Sequence, residues 1–350
     1  MPGTICHLNL ARGFRGGERQ TELLIRGLAQ RGVRQMLVAR TGQPLIDRLA
    51  GTDGLSISSA AGNALAALRH GGGATLLHAH EAHGAHSAFL RHGFSRQPYV
   101  LTRRVSNLPG GDFFTRGVYR KAAVVACVAA SVARVLEAYD PDIDTAVIHS
   151  ALSELKADPK TVAELRSRYA GKFLVGHVGA LDNKTKGQVY IIRAARKIRE
   201  LYPDIHILLI GGGSDEKWLK QEASDLDNLS FTGFVDDVGS YLSVLDMFIL
   251  PSNIEGIGGI LLDAMQFGLP VVASRVGGLG EIVEDGENGI LIRPRSPGNL
   301  VEAIGRLHNS AGLRAAMGRK GEQFVSGFTP DKMADRYLKL YENVMGGSLT

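Results

Sequence analysis

Only two of the 350 residues are cysteine, and both lie inside apolar, strand-like runs, Cys6 in TICHLNL and Cys127 in AAVVACVAA. That placement suits buried thiols in a reduced compartment better than a disulfide framework. No apolar run approaches the ~20 residues that a membrane-spanning helix needs. The N-terminus lacks a charged segment followed by a long apolar stretch and reads as a strand within ten residues, so a cytoplasmic chain is expected. The glycine-rich first turn, LARGFRGGERQ, lacks the G-x-G-x-x-G spacing, and the second strand ends in Arg40 rather than an acid, which argues against a nicotinamide cofactor. The formal charge is +5, a mild attraction for anions, but no aromatic stacking motif accompanies the basic residues. A nucleic-acid partner is therefore not expected.

What is present is ordinary for a folded protein: 44% apolar and 21% charged residues. The length favours about two domains. Short apolar runs alternate with longer amphipathic ones, as parallel βα units do. In the first half the strand candidates are TICHLNL, RQMLVAR, ATLLHAH, PYVLTRR, AAVVACV and TAVIHS; in the second they are FLVGHV, IHILLIG, LSFTG, DMFILPS, PVVASRV and GILIRP. A polar stretch separates the halves and places a hinge between roughly Ser150 and Gly171. The reading is an α/β chain of two doubly wound, Rossmann-like domains, 1–165 and 166–329, facing across a cleft. A closing helix at 330–346 carries Met333, Tyr337, Leu340, Tyr341 and Val344 on one face.

The stretch LPSNIEGIGGILLDAMQFGLPVVAS concentrates chemistry. A strand ends, Glu255 and glycines follow, and a helix begins near Gly258. The backbone N–H groups of Gly258, Gly259 and Ile260 are then orphan donors at a helix N-terminus, an anion site that missing Cβ atoms leave open. Asp263 falls about five residues inside, ~7.5 Å along the axis. Two acids thus flank one anion pocket, a layout suited to a diphosphate bearing hydroxylated groups at both ends. The competing reading of this stretch alone is a tight strand–turn–helix with two surface acids. The next loop, SRVGGLGEIVEDGENG, repeats the theme with Gly277, Gly278, Gly280 and Glu281.

Together EGIGGILLDAMQFGLPVVASRVGGLGEIVEDGENGILI resembles the donor-binding core of retaining, nucleotide-sugar-dependent glycosyltransferases of family 4, of the lipopolysaccharide and surface-glycan type, which have the GT-B fold. VGALDNKTKGQVYIIRAA resembles the strand, basic loop and helix opening that family's second domain, and Lys186 falls on its phosphate-binding lysine. IHILLIGGGSDE, with Gly211 and Gly213, resembles the glycine loop lining the nucleotide. LSFTGFVDDVGSYLSVLDMFILPS, with Phe234 and Val235, resembles the segment that meets the base. GFRGGERQTELLI resembles the loop whose Gly16 and Gly17 face the diphosphate, and the closing helix resembles one that crosses back to the first domain. The resemblance covers nearly the whole chain, most strongly from Phe173 to Arg293.

Three positions depart from the family pattern. Asp263 stands where a second glutamate is usual, about 1.5 Å shorter in reach yet still a charged acceptor. Ala180 stands where many members carry arginine, which shifts phosphate charge onto Lys184 or Lys186. Arg104 is the nearest match to a histidine near the donor sugar.

The resemblance implies transfer of a sugar from a nucleotide diphosphate, by preference UDP, to a hydroxyl of a glycolipid or surface glycan at the cytoplasmic membrane face. It implies retention at the anomeric carbon, no metal and no cofactor beyond the nucleotide-sugar co-substrate. Lys186 and Glu255 would be catalytic, with donor contacts from Gly16, Gly17, Gly211, Gly213, Phe234, Val235, Gly258, Gly259, Ile260 and Asp263. Glu18, His80, Arg103 and Arg104 are placed on the acceptor side. Two rivals share these features: a sugar-nucleotide 2-epimerase, and a nucleotide-sugar-binding subunit without turnover.

His78, His80, His83 and His86 in LLHAHEAHGAHS suggest a metal, but the run passes from strand to helix without a regular pair and lacks cysteine ligands. His80, near the strand end, is better placed among acceptor-side residues. Arg12, Arg15, Arg19, Arg26 and Arg31 make the first loop and helix basic, either a solvated face or an attraction for anionic lipid.

Overall fold

The computed structural model describes residues 3–62, 70 and 72–349. The chain forms two compact units, one running to Ser153 and resuming at Phe328, the other Glu154–Gly327.

The first unit holds a parallel sheet of β1 (Thr4–Asn9), β2 (Arg34–Arg40), β3 (Leu55–Ala60), β4 (Leu76–Ala79), β5 (Tyr99–Arg103), β6 (Val124–Cys127) and β7 (Thr145–Val147), ordered β3-β2-β1-β4-β5-β6-β7. Strands β4, β5 and β6 are buried at every residue. Burial on both faces is why they read as unbroken apolar runs. Strand β3, LSISSA, escapes such a reading: at the sheet edge, half its residues are serine, and only Ala60 is buried. Both cysteines are free and buried, and burial pushes each thiol up to about 12.

The second unit repeats the plan with β8 (Phe173–Val178), β9 (Ile205–Ile210), β10 (Leu229–Gly233), β11 (Met247–Leu250), β12 (Val271–Ser274) and β13 (Gly289–Ile292), all parallel and ordered β10-β9-β8-β11-β12-β13. Its core joins Val175, Ile207, Ile249 and Val272 of the sheet to Ile191 and Ile198 of helix Gln188–Leu201 and Ile304 of helix Pro297–His308. In each sheet the order reverses once, between β1 and β4 and between β8 and β11. Those switch points are where doubly wound sheets bind ligands, beyond the carboxyl ends of the strands.

The boundary falls at 153/154, not the expected 165/166, because helix Pro159–Arg168 belongs to the second unit. The N–H of Asp158 donates to Ser240 Oγ at 2.7 Å, and the Lys156 carbonyl presses on Gly239 too closely for any side chain there. The last helix, Pro330–Met345, belongs to the first unit. Met333, Ala334, Tyr337 and Tyr341 pack with Leu24, Leu28 and Val33, and Arg31 clamps Asp335 at 2.6 Å and Asp331 at 3.3 Å. Arg19 and Arg26 both bond Glu22. Three of the five arginines noted for lipid attraction are thus committed to holding the first helix, Gly16–Gln30, while Arg12 and Arg15 remain exposed. Among the described residues no helix is long and apolar enough to cross a membrane.

Candidate active site

The second unit's switch point brings Lys186 and Glu255 together. Lys186 ends the short helix Asn183–Lys186, and Gly187 follows in the left-handed conformation, φ 69°. A Cβ on Gly187 would lie 2.5 Å from the Pro251 carbonyl, so only glycine lets this turn press against the exit of β11. Asn253 fixes the same junction, with its N–H on Thr185 O at 2.8 Å and its side-chain amide on the carbonyls of Asn183 and Lys184. Lys186 Nζ consequently meets Glu255 Oε1 at 2.5 Å, and Ser252 Oγ donates to the same oxygen at 2.8 Å. Of the two candidate lysines, Lys186 meets Glu255 while Lys184 stays exposed.

Beneath Lys186 lies a buried neutral histidine. Burial lowers the His177 pKa to about 4, a bond to a backbone carbonyl opposes this, and the Lys186 charge lowers it further. Its Nδ1 donates to Ile249 O at 3.0 Å, which leaves Nε2 as acceptor toward the Gln188 amide at 3.4 Å. The histidine therefore adds no charge of its own beside Lys186.

Helix Gly259–Gln266 begins beside the pair without a side-chain cap, and a Cβ added at Gly259 would meet nothing within 4 Å. Open space thus lies before a helix N-terminus carrying partial positive charge. Gly258 sits at φ 68° with Leu279 against it. Gly277, at φ 52°, passes so close to the Glu255 carbonyl that a Cβ would stand 1.9 Å from it, and Gly278 N–H donates to Gly256 O at 2.7 Å. The second glycine run therefore buttresses the loop that carries Glu255. Asp263 is buried in the second turn of the helix, and Ile260 is half-buried in the first.

Gly211 and Gly213 serve close backbone approach between the loops after β9 and β8. Added Cβ atoms would lie 2.2 Å from Gly179 O and 2.5 Å from Leu181 N. Phe234, beyond the end of β10, is 71% exposed and offers a free aromatic face, with Val235 half-buried beside it.

In the first unit, Gly16 and Gly17 open the first helix, with nothing near Gly16 and the Arg104 side chain 3.7 Å from a Cβ at Gly17. Glu18 is buried and accepts from Arg15 N–H at 2.9 Å, capping the helix start; burial raises its pKa, and the neighbouring Arg104 charge opposes this. Arg103 is turned inward, its guanidinium on Tyr119 OH and Asn107 O, so its charge serves the fold rather than the acceptor side. The four histidines considered for a metal separate: His83 faces Glu81 at the helix surface and His86 packs on the Phe114 ring. His7 takes their place beside His78 and His80.

Sequence reasoning did not find Ser252, Asn253, His177, Gln188 or His7. The first two lie in PSNIEG, next to the carboxylate, and proximity was the available signal. His177 and His7 depend on strand pairing, and Gln188 on the turn that Gly187 makes before its helix.

Residues 172–310 match the family described as "Glycosyl transferases group 1". An uncharacterized glycosyltransferase of Methanocaldococcus jannaschii is 35% identical over 164 residues, 45% of each chain. A GDP-mannose-dependent alpha-(1-6)-phosphatidylinositol monomannoside mannosyltransferase of Mycobacterium tuberculosis is 29% identical over 205 residues, 55% of this chain and 51% of that protein. The chain spans about half the length of the curated relatives it matches. The crystal structure of Anabaena HepE in complex with UDP and glucose is similar over 97% of this chain and 100% of that one, with TM-score 0.85 at 20% identity. The fold is GT-B, built of two Rossmann-like domains, and the match to the glycosyl transferases group 1 model falls within the second unit.

Proposed function

We propose that this chain is a glycosyltransferase that takes a sugar from a nucleotide diphosphate, by preference UDP, and moves it to a hydroxyl of a glycolipid or surface-glycan acceptor. The observation that carries this reading is the Lys186–Glu255 pair, set at 2.5 Å beside an uncapped helix N-terminus.

Each part has work in such a transfer. Lys186 and the first N–H groups of helix 259–266 receive the diphosphate and stabilise the charge that grows on it as the bond from the anomeric carbon to the phosphate oxygen breaks. They supply that positive charge without a metal. Ser252 and Lys186 both engage Glu255 Oε1, so Oε2 is offered to hydroxyls of the donor sugar. The acceptor oxygen bonds to the anomeric carbon on the face the diphosphate leaves, giving retention, and its proton passes to the departing phosphate oxygen. Phe234 and Val235, just beyond β10, would stack on the base. HepE was crystallised with UDP, whereas the M. tuberculosis relative is named for GDP-mannose; the choice of base is thus the first point to measure. Work at the inner membrane face is supported by exposed apolar side chains of the first unit, Phe113 at 93% and Phe94 at 80%.

Calorimetric binding of UDP, GDP and ADP, with Lys186→Ala and Asp263→Ala as comparisons, tests the donor site. One nucleotide should bind selectively and weaken at least tenfold without Lys186, and transfer should fall about 10²–10³-fold. Product analysis with donor alone then separates the rivals. An epimerised sugar would make the protein an isomerase, and binding without hydrolysis or transfer would make it a binding subunit. No nucleotide binding at all would sink the donor-site reading.

A further inference from the structure

His7 on β1 and His78 and His80 on and beyond β4 place one nitrogen each within 4.8 Å of one another, and all three rings are buried. Convergence of this kind suggests a metal, but the contacts speak against one. His78 has both nitrogens engaged, Nδ1 with Tyr341 OH at 2.6 Å and Nε2 with Thr102 Oγ1 at 2.7 Å. Burial first, then the neighbouring imidazoles and the Arg104 guanidinium, disfavour added positive charge at His78 and His80, and a buried dication beside that arginine would be strongly disfavoured.

The hydrogen bonds instead fix a chain of tautomers. Gln35 donates its side-chain amide to the Ile25 carbonyl at 3.0 Å, so its Oε1 must face His7. That oxygen lies 3.0 Å from His7 Nε2, which therefore carries the proton and leaves His7 Nδ1 bare. His7 Nδ1 is 2.9 Å from His80 Nε2, so His80 carries its proton there. His80 Nδ1 ends the chain as a bare acceptor, buried and without a partner among the described residues, on a residue 4% exposed. An orphaned buried acceptor costs roughly 1–3 kcal/mol. It stands at the switch point of the first sheet, immediately beyond β4. Arg104, beyond β5, has a buried Nε without a partner among the described residues, a bare donor whose charge reaches His80.

We propose that His80 Nδ1 accepts a hydrogen bond from a sugar hydroxyl of the acceptor substrate, and that Gln35 and His7 are positioning residues that keep this nitrogen unprotonated. The assignment rests on the glycosyltransferase reading above. A sugar supplies hydroxyls in both roles, as donor to His80 and as acceptor from Arg104. The diphosphate of a nucleotide-sugar, esterified at each phosphorus, has no proton to give a bare nitrogen at neutral pH. Burial keeps His80 neutral, so the lone pair persists.

The test uses the whole protein labelled with 15N-histidine, and octyl glucoside and octyl mannoside as probes, with UDP present. Long-range 1H–15N spectra should show His7 and His80 bare at Nδ1 and protonated at Nε2. At least one glycoside should then move the His80 Nδ1 resonance into the hydrogen-bonded range. Gln35→Met should abolish the single tautomer of His7 and raise the glycoside KM about tenfold, one lost hydrogen bond to a preorganised acceptor. Its melting curve checks the fold, and the unmutated spectra decide the matter if that variant does not fold. A proton on His80 Nδ1, or a resonance unmoved by both glycosides, overturns the proposal. Absence of UDP binding in the same samples would instead count against the donor-site reading, while the tautomer spectra still judge the relay.

Discussion

Gly277 and Gly259 look alike in sequence and do opposite things. Gly277 touches the Glu255 carbonyl, and its φ of 52° is one that side chains rarely adopt. Gly277→Ala therefore adds a strain of roughly 1–2 kcal/mol to a backbone clash that can be relieved only by moving the Glu255 loop. Both melting temperature and transfer rate should fall. Gly259 has an ordinary helical backbone and open space before it. Gly259→Ala should leave thermal stability unchanged or slightly raised, yet weaken nucleotide binding at least tenfold, because the new methyl stands where a phosphate would approach. Paired melting and calorimetry of the two variants check this. Equal losses of stability would mean that the helix start serves packing alone.

At the scale of elements, the last helix packs Met333, Tyr337 and Tyr341 into the core of the first unit, and a close contact and an ionic clamp add to that packing. A Cβ on Gly27 would lie 2.7 Å from that of Ala334, and Arg31 reaches Asp331 and Asp335. Gly27→Val forces helix 330–345 away from Leu24 and Leu28, and the overpacking should cost roughly 1–3 kcal/mol. Exposed partners make the Arg31 pairs weaker, about 0–1 kcal/mol, so Arg31→Ala should be the milder change in a denaturant melt. The helix itself was legible because Met333, Tyr337 and Tyr341 share one face, and its Thr329 cap and Pro330 are local signals. The buried parallel strands were legible for a similar reason, their apolar runs being unbroken. Strand β3 was not, since LSISSA owes its place to pairing with β2 rather than to burial. Contacts set by register stayed hidden. Nothing within PYVLTRR tells that Arg103 turns inward while Arg104 keeps a bare nitrogen, and 71 residues separate His7 from the His78 it faces across β1 and β4. The donor loops lay between these cases: EGIGGILLDAM announced a strand, a turn and a helix start, whereas Lys186 meets Glu255 only through the junction that Gly187 and Asn253 permit.

Across the whole molecule, buried neutral histidines set the response to acid. Burial holds His7 and His177 at about 4, against about 6.5 for the free side chain, and lowers His78 and His80 as well. Between those values the unfolded chain binds protons that the folded chain refuses. Stability therefore rises with pH through that window, is complete above it, and is lost as pH falls from about 6.5 toward 4, by roughly 3 kcal/mol for each group held at about 4. Glu18 and Asp246, raised by burial, act in the opposite sense, since their protonated forms favour the fold. Asp140 and Asp158, lowered by hydrogen bonds, lose their contribution only in more acid solution. The histidines are unequally shared. His7, His78 and His80 lie in the first unit, while His177 and the partly buried, lowered His206 lie in the second, which also holds the single tryptophan, Trp218. Denaturant melts at pH 7.5, 6, 5 and 4.5 should thus show the tryptophan signal shifting less than the far-ultraviolet circular dichroism, which senses both units. His7→Gln should flatten the dichroism profile and leave the tryptophan profile alone. Coincident profiles with an unchanged midpoint between pH 7.5 and 4.5 would mean that the imidazoles of the first sheet accept protons within the fold, and a bare His80 nitrogen would not survive that result.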